Sequence, residues 1–322
     1  MASDGAPVVL VTGGTGLVGS GLRWQVEENN YRPKGAKFVF LSSKDADLRD
    51  LESTRAAFQK HKPTHVIHLA ARVGGLFKNL RSKVEMMVEN ININQNVLAC
   101  AHEVGADRVV SMTSTCVFPD KIVYPITEDT IHDGPPHPSN EGYAYAKRMV
   151  EVLSRAYNDQ HGRSYFTVVP TNVYGPHDNY SIEDGHVAPG LMHKCYLAKK
   201  NNEDLVIWGT GKPLRQFIFS RDLASLVIWA TLEYEGKESI MLAPDESEEV
   251  SILDLAKTVA ECMKFPVEKL VQDTTKNDGQ FKKTVSNARL RGLRPDFKFT
   301  PLKEGFQIST DWFEANYETC RK

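Results

Sequence analysis

Tyr143 and Lys147 stand four residues apart in the run Tyr143-Ala144-Tyr145-Ala146-Lys147, a spacing that puts both side chains on one face of a helix. A free phenol loses its proton near pH ~10, and a neighbouring ammonium favours the phenolate and lowers that value. Such a pair can exchange a proton with a reacting oxygen while the ammonium holds a cofactor ribose. Tyr145 points away from Lys147 and is its bland counterpart. Taken alone, this spacing is common on solvated helix faces. It gains weight from Ser114, just past the apolar run Arg108–Met112, which sets a hydroxyl at a sheet edge where a reacting carbonyl can be hydrogen-bonded. Cys116 and His186 carry the side chains that titrate nearest neutrality. In isolation, a cysteine at a strand end is a small buried apolar residue, and a loop histidine is solvated or capping.

A second constellation opens the chain. Thr12-Gly13-Gly14-Thr15-Gly16-Leu17-Val18-Gly19 lies between an apolar run, Val8–Thr12, and an amphipathic stretch from about Leu17 to Asn29. Glycines 13, 16 and 19 permit a tight turn, close approach to a pyrophosphate and close helix packing, with the phosphates on the helix N-terminus. Strand before and helix after together point to dinucleotide binding. The next strand ends in Ser42-Ser43-Lys44, where an NAD site usually carries an acid for the ribose hydroxyls. Two hydroxyls and an ammonium suit a 2′-phosphate instead, so NADP(H) is favoured over NAD, the alternative being a solvated turn. Leu69-Ala70-Ala71 supplies small residues where the backbone can lie close to the cofactor.

These groups need a scaffold, and the first half of the chain alternates strand and helix signals. Short apolar runs at Lys37–Leu41, His65–Leu69, Arg108–Met112 and Phe166–Val169 predict buried parallel strands. Leu51–Lys60, Val84–Val104 and Tyr143–Gln160 have helical spacing, with Val84, Met87, Val88, Ile91, Leu98 and Ala101 approximating one stripe. The fold class expected is α/β: a Rossmann, doubly wound parallel sheet with a smaller mixed α/β C-terminal domain. Residues 1–170 are the expected cofactor domain, with a return segment near 216–235, and 171–322 mainly the substrate domain. In the second half, loops are expected at Asn172–Pro189, Gly209–Pro213 and Lys276–Gly279. Strands are expected near Leu205–Trp208 and Glu238–Leu242, and helices near Leu223–Tyr234 and Ile252–Met263. His68 and Cys100 read as packing.

The 322 residues suffice for a large buried core, and a formal net charge of -2 gives no general pull toward nucleic acid or an anionic membrane. Five scattered cysteines without a CxxC pair indicate neither a disulfide framework nor a metal site. Met1–Pro7 is polar, with no secretory apolar region, and no apolar run approaches the ~20 residues that cross a bilayer. A cytoplasmic protein is expected.

Strand-end Ser114 with helical Tyr143 and Lys147, after a glycine-rich first turn, resembles the extended short-chain dehydrogenase/reductase family. Further segments resemble its GDP-L-fucose synthase branch: Ala71–Gly75, Ser114–Pro119, Pro170–Asn179, Gly185–Pro189, Val206–Gly211, Arg215–Phe217 and Lys276–Gly279. They run in order through nearly the whole chain. Cys116 two residues after Ser114, with Pro176-His177-Asp178-Asn179 and His186-Val187, is the specific part. The resemblance implies epimerisation of GDP-4-keto-6-deoxy-D-mannose at C3 and C5, then reduction at C4 by NADPH. Ser114 and Tyr143 would hold the ketone oxygen, Cys116 and His186 would be the base and acid in either order, and Tyr143 would protonate O4. It places Lys147, Pro170, Asn172, Val173 and His186 at the cofactor, and Asn172, Lys194, Trp208, Arg215 and Asp278 at the substrate. Arg215 suits a phosphate clamp, Lys194 a point charge, Trp208 a face for guanine or ribose, and Asp278 the ribose hydroxyls. Trp208 as core and Arg215 in a surface pair remain alternatives. A homodimer through the Val84–Val104 and Tyr143–Gln160 helices is also implied.

Rivals are a nucleotide-sugar 4-epimerase or 4,6-dehydratase of the same fold, and a silent NADP-binding sensor. Dehydratases of this superfamily follow the strand-end hydroxyl with an Asp-Glu pair, whereas Thr115-Cys116 stands here and the first carboxylate is Asp120. A 4-epimerase recycles NAD and needs no Cys/His pair. A sensor has no need of Ser114, Tyr143 and Lys147 together.

Overall fold

The computed structural model describes residues 5–276 and 278–322; Met1–Asp4, part of the polar Met1–Pro7 segment, and Asn277, inside the expected Lys276–Gly279 loop, lie outside the described residues. Five strands, β1 (Val8–Thr12), β2 (Lys37–Phe40), β3 (His65–His68), β4 (Arg108–Met112) and β5 (Ser164–Pro170), form a parallel sheet. After them come β6 (Asn172–Tyr174), β7 (Leu205–Trp208), β8 (Leu214–Arg215), β9 (Phe217–Phe219) and β10 (Ile240–Leu242). The last of these completes a six-stranded sheet in the order β2-β1-β3-β4-β5-β10. Val9, Leu10 and Val11 are wholly buried, as strands covered on both faces must be.

Helices α1 (Leu17–Glu27), α2 (Leu51–His61), α3 (Leu76–Arg81), α4 (Lys83–Glu103), α5 (Glu141–His161), α6 (Val187–Asn201) and α7 (Ser220–Leu232) follow in chain order. One face of the sheet is covered by α1 and α7, whose apolar residues share a core with Val9, Val11, Ile67 and Val110. On the other face α2, α4 and α5 surround Leu10, Val66 and Val109. The chain order reverses between β1 and β3, so the crevice beyond their carboxyl ends is where a doubly wound sheet receives its ligand.

A second core joins α6 with α8 (Ile252–Cys262) and, beyond the short α9 (Ala288–Leu293), α10 (Leu302–Ala315). Tyr174 stacks on Phe306 with centroids 4.2 Å apart, tying β6 to α10. Two small pairings complete this region: β8 with β11 (Val250–Ser251), and β7 with β12 (Leu270–Asp273). No helix among the described residues is long and apolar enough to cross a membrane.

Two expectations are corrected. The loop expected over Asn172–Pro189 holds β6 at its start and ends at His186, because Pro189 sits in the first turn of α6, where its missing N–H costs nothing. The apolar stripe on α4 is largely outward: Val84 is 70% exposed and Val88 50%, while Leu98 and Ala101 are buried. The inner face instead carries Asn90, Asn94 and Asn96, each buried and hydrogen-bonded. Asn90 exchanges two bonds with the Arg72 backbone, Asn94 donates to the Ala146 carbonyl, and Asn96 to that of Leu48. Satisfied amides can occupy a core face that a hydrophobic pattern assigns to solvent.

Candidate active site

At the β1–α1 turn, Gly13 has φ +71°, and a β-carbon there would lie 2.9 Å from the Ala70 nitrogen. At Gly19 one would lie 2.5 Å from the Gly13 carbonyl. Both glycines are thus required for the turn to fold back onto β3 and onto its own helix. Helix α1 begins at Leu17 with no side-chain cap and no acid in its first turn, leaving its first N–H groups for an anionic ligand.

This turn forms one wall of a cavity of about 680 Å³. Gly13, Thr15, Gly16, Leu17, Val18, Gly19, Ser42, Ser43, Leu69, Ala70 and Ala71 line it on one side. Ser114, Tyr143, Lys147, Pro170, Asn172, Val173 and His186 line the rest. The glycine cradle and the free helix terminus fit a dinucleotide laid across the β1–β3 crevice. Two residues expected here are not on the lining. Gly14 donates its N–H to the Leu41 carbonyl and packs on Phe40, so its role is in the turn. Lys44 is exposed beyond the end of β2. Besides Lys147, the cations on the lining are Arg49, Arg72 and Arg321, and Arg49 is paired with Asp47 and Glu89. Ser42 donates to Asp45, so its hydroxyl is already engaged.

Lys147 is 2% exposed, and its ammonium donates to the Met112 carbonyl at 2.9 Å. Burial lowers its pKa to about 8, with Cys116 opposing the fall. The ammonium lies 6.0 Å from the centre of the Tyr143 ring. Contrary to the expected lowering, the Tyr143 phenol is pushed above its ordinary value, first by burial and then by Cys116. A phenol that keeps its proton at neutral pH is a donor, the role that reduction of a ketone requires. Beneath these groups His68 is wholly buried, as expected, and hydrogen-bonded to Thr12 and Asn94; burial holds it neutral, with a pKa of about 3.

Ser114 caps a short turn, Thr115–Val117, and accepts from the Cys116 N–H at 3.4 Å. Cys116 is buried in that turn, and the lining passes through Ser114 and Thr115 rather than its sulfur. Burial raises its thiol, while Lys283, Ser114 and Lys147 pull the other way. His186 caps α6 and opens onto the cavity; the protein around it lowers its pKa, chiefly by desolvation and then through Lys283 and Arg321. Lys283 is therefore a charge shared by both groups, and nothing in its sequence surroundings marks it.

Gly185 and His186 also border a second cavity of about 210 Å³, lined by Lys194, Trp208, Arg215 and Asp278. Arg215 forms no surface pair: its guanidinium donates to the carbonyls of Leu214, Gln280 and Phe281, and burial lowers its pKa to about 10. Lys194 stands 3.3 Å above the Trp208 ring, covering one face of it, and Phe77 meets the ring edge-on at 5.7 Å. Asp278 accepts from Thr210 at both oxygens. Asn172 holds the Gln216 carbonyl at 2.9 Å, fixing β6 against β9. Asp178 joins the lining of the larger cavity with a buried, unpartnered Oδ2, and burial raises its pKa to about 7. Its motif was conspicuous in the sequence, but its burial was not.

The model described as the NAD dependent epimerase/dehydratase family matches residues 9–243. A GDP-L-fucose synthase of Dictyostelium discoideum is 57% identical over 314 residues, covering 98% of this chain and 97% of that protein. A probable GDP-L-fucose synthase of Drosophila melanogaster is 50% identical, covering 98% and 99% respectively. The crystal structure of a GDP-L-fucose synthetase from Naegleria fowleri bound to NADP matches with TM-score 0.92 at 49% identity, covering 100% of this chain and 96% of that one.

Proposed function

This chain belongs to the NAD dependent epimerase/dehydratase family, and from that membership we propose how its two joined cavities make GDP-L-fucose. The substrate is GDP-4-keto-6-deoxy-D-mannose, epimerised at C3 and C5 and reduced at C4, and the cofactor is NADP(H). The observation that carries the reading is the junction at His186. There a cavity bearing Ser114, Tyr143 and Lys147 meets one bearing Lys194, Trp208, Arg215 and Asp278. The diphosphate and nucleoside occupy the smaller cavity, and the keto sugar projects past His186 into the larger. We further assign the cofactor mainly to residues 1–170 with α7, and the nucleotide sugar mainly to 171–322.

The ketone flanks both carbons to be inverted, so a proton lost from either leaves an enolate on a single oxygen. Ser114 and Tyr143 donate hydrogen bonds to that oxygen. Inversion requires a proton removed on one face and another returned on the opposite face, and Cys116 and His186 form that pair. When bound, NADPH supplies the hydride to C4. Tyr143 gives its phenolic proton to O4, and Lys147 holds the cofactor ribose. Arg49, with Ser42 and Ser43, faces the 2′-phosphate. The acid–base pairing is carried over from the family resemblance, with His186 on the cavity lining and Cys116 buried in the turn beside it, and product analysis by NMR in deuterated water tests it. Deuterium at both C3 and C5 is expected, and Cys116→Ser should stop incorporation while leaving NADPH binding intact. Near-normal incorporation in that variant removes Cys116 from the mechanism.

A homodimer is proposed through the outward apolar residues Val84, Met87 and Val88 of α4 and Met149 of α5. Sedimentation of Val88→Lys tests it, with a shift to monomer expected. The five cysteines stand free, which suits the cytoplasm.

A further inference from the structure

Between the two cavities the chain crosses itself. The Gly75 N–H donates to the Asp184 carbonyl at 2.9 Å. Asn79 holds the carbonyls of Gly74 and Gly75 at 2.7 and 3.0 Å, fixing the start of α3. A β-carbon on Gly75 would lie 2.3 Å from the Gly185 carbonyl, so the two strands of backbone touch as no side chain would permit. Arg81, at the end of α3, pairs with the Asp184 carboxylate. Asp184 and Gly185 are in turn anchored on Ser181, at 3.2 Å to its hydroxyl and 2.9 Å to its carbonyl. His186 follows directly as the cap of α6, and the Gly190 N–H holds its carbonyl at 3.1 Å. Gly74 lines the larger cavity and Gly75 the smaller, so this strap lies across the passage between them.

We propose that the strap Gly74–Arg81 is a positioning element for His186: by clamping Asp184–Gly185 it fixes the imidazole at the junction and sets how completely the sugar is epimerised before it is reduced. The inference rests on the role given to His186 above. The clamp acts on the segment before α6, whereas Ser114, Tyr143 and Lys147 stand on α5 and the turn after β4; the strap meets that side at Pro138–Asn140, the short turn before α5. Loosening the strap therefore slows proton transfer at C3 and C5 while hydride transfer to C4 continues. Reduction then overtakes epimerisation. The product is a GDP-6-deoxyhexose whose C4 has gained the hydride and whose O4 has gained a proton, with C3 or C5 still in the starting configuration.

The test uses the full-length protein with saturating keto sugar and NADPH in deuterated water. Gly75→Ala forces the two backbones apart, and a displacement near 1 Å at a proton-transfer group lowers deuterium incorporation by about tenfold or more. NADPH affinity should stay within about twofold, since Gly75 does not line the cofactor cavity. Should Gly75→Ala fail to fold, Arg81→Ala carries the test. That pair is half exposed, so about a two- to fivefold loss of incorporation is expected, restored by Arg81→Lys. A raised share of incompletely epimerised, reduced product supports the proposal. Equal loss of incorporation and NADPH oxidation, with fully epimerised product, overturns it. His186→Gln separates the two readings. If it leaves incorporation intact, the role of His186 itself fails. If it abolishes incorporation while neither strap variant alters the product, the strap inference alone fails.

Discussion

Replacing Lys147 by methionine should make the cofactor-free protein more stable at pH 7 while abolishing its reductase activity. The ammonium is 2% exposed and its pKa falls from 10.5 to about 8 through burial. At about 1.4 kcal/mol for each tenfold step in proton affinity, holding that charge in the folded state costs roughly 3 kcal/mol. Methionine removes the charge and keeps the apolar stem. It also leaves the Met112 carbonyl without its donor, which returns about 1–3 kcal/mol. A net gain of about 0–2 kcal/mol is expected near neutrality. The sign follows from linkage. Between pH 8 and 10.5 the unfolded chain keeps the lysine proton and the folded chain does not, so wild-type stability rises through that window. Above pH 10.5 the charging cost is gone, and Lys147→Met should be the less stable protein because only the lost hydrogen bond remains. Equilibrium urea unfolding of both proteins from pH 7 to 11, followed by tryptophan fluorescence, gives the difference curve. A curve that stays flat across the window, or a variant already weaker at pH 7, refutes the burial argument.

Tyr143→Phe removes the only proton donor assigned to O4, so NADPH oxidation should fall by about 10²–10⁴-fold with cofactor affinity retained; stopped-flow loss of nicotinamide absorbance measures it. In the proposed mechanism the Cys116/His186 pair works while it holds one proton between sulfur and imidazole. Desolvation by the protein around it lowers the imidazole from 6.5, and burial raises the thiol from 9.0, so the plateau for deuterium incorporation should extend below pH 6.5 and above pH 9.0. A limb inside that interval contradicts it. NADPH oxidation, read as kcat/KM, should decline earlier, above about pH 8, as Lys147 loses its proton. Arg49→Ser should weaken NADPH relative to NADH by about tenfold, whereas Lys44→Ala should leave the ratio unchanged; competition binding with both nucleotides distinguishes the two cations.

The cofactor half was legible because its signals are local. Val8–Thr12, the glycines behind it and Arg108–Met112 are contiguous, and burial on both faces of a parallel strand leaves a short apolar run that its length and the glycine turn after it identify as a strand. The face of α4 was misread because its inward asparagines are satisfied by partners distant in sequence: Asn94 reaches His68 and Ala146, and Asn96 reaches Leu48. Local pattern carries no record of such partners. The same limit hid β8 and β11, two residues each and joined only by the fold. Tyr143 shows the chemical form of the limit. Its spacing from Lys147 was visible, but the sign of its pKa depended on how much protein surrounds the ring.

Residue type and spacing thus reveal which groups can act, and long-range contact decides how each is poised. Gly75 and Arg81 illustrate this most sharply, since neither has reactive chemistry of its own. Their consequence arises where a backbone crossing brings residue 75 against residue 185. Control of the order of epimerisation and reduction would then lie in a contact between the two cavities, and substitutions there should change which product forms more than how fast cofactor is consumed.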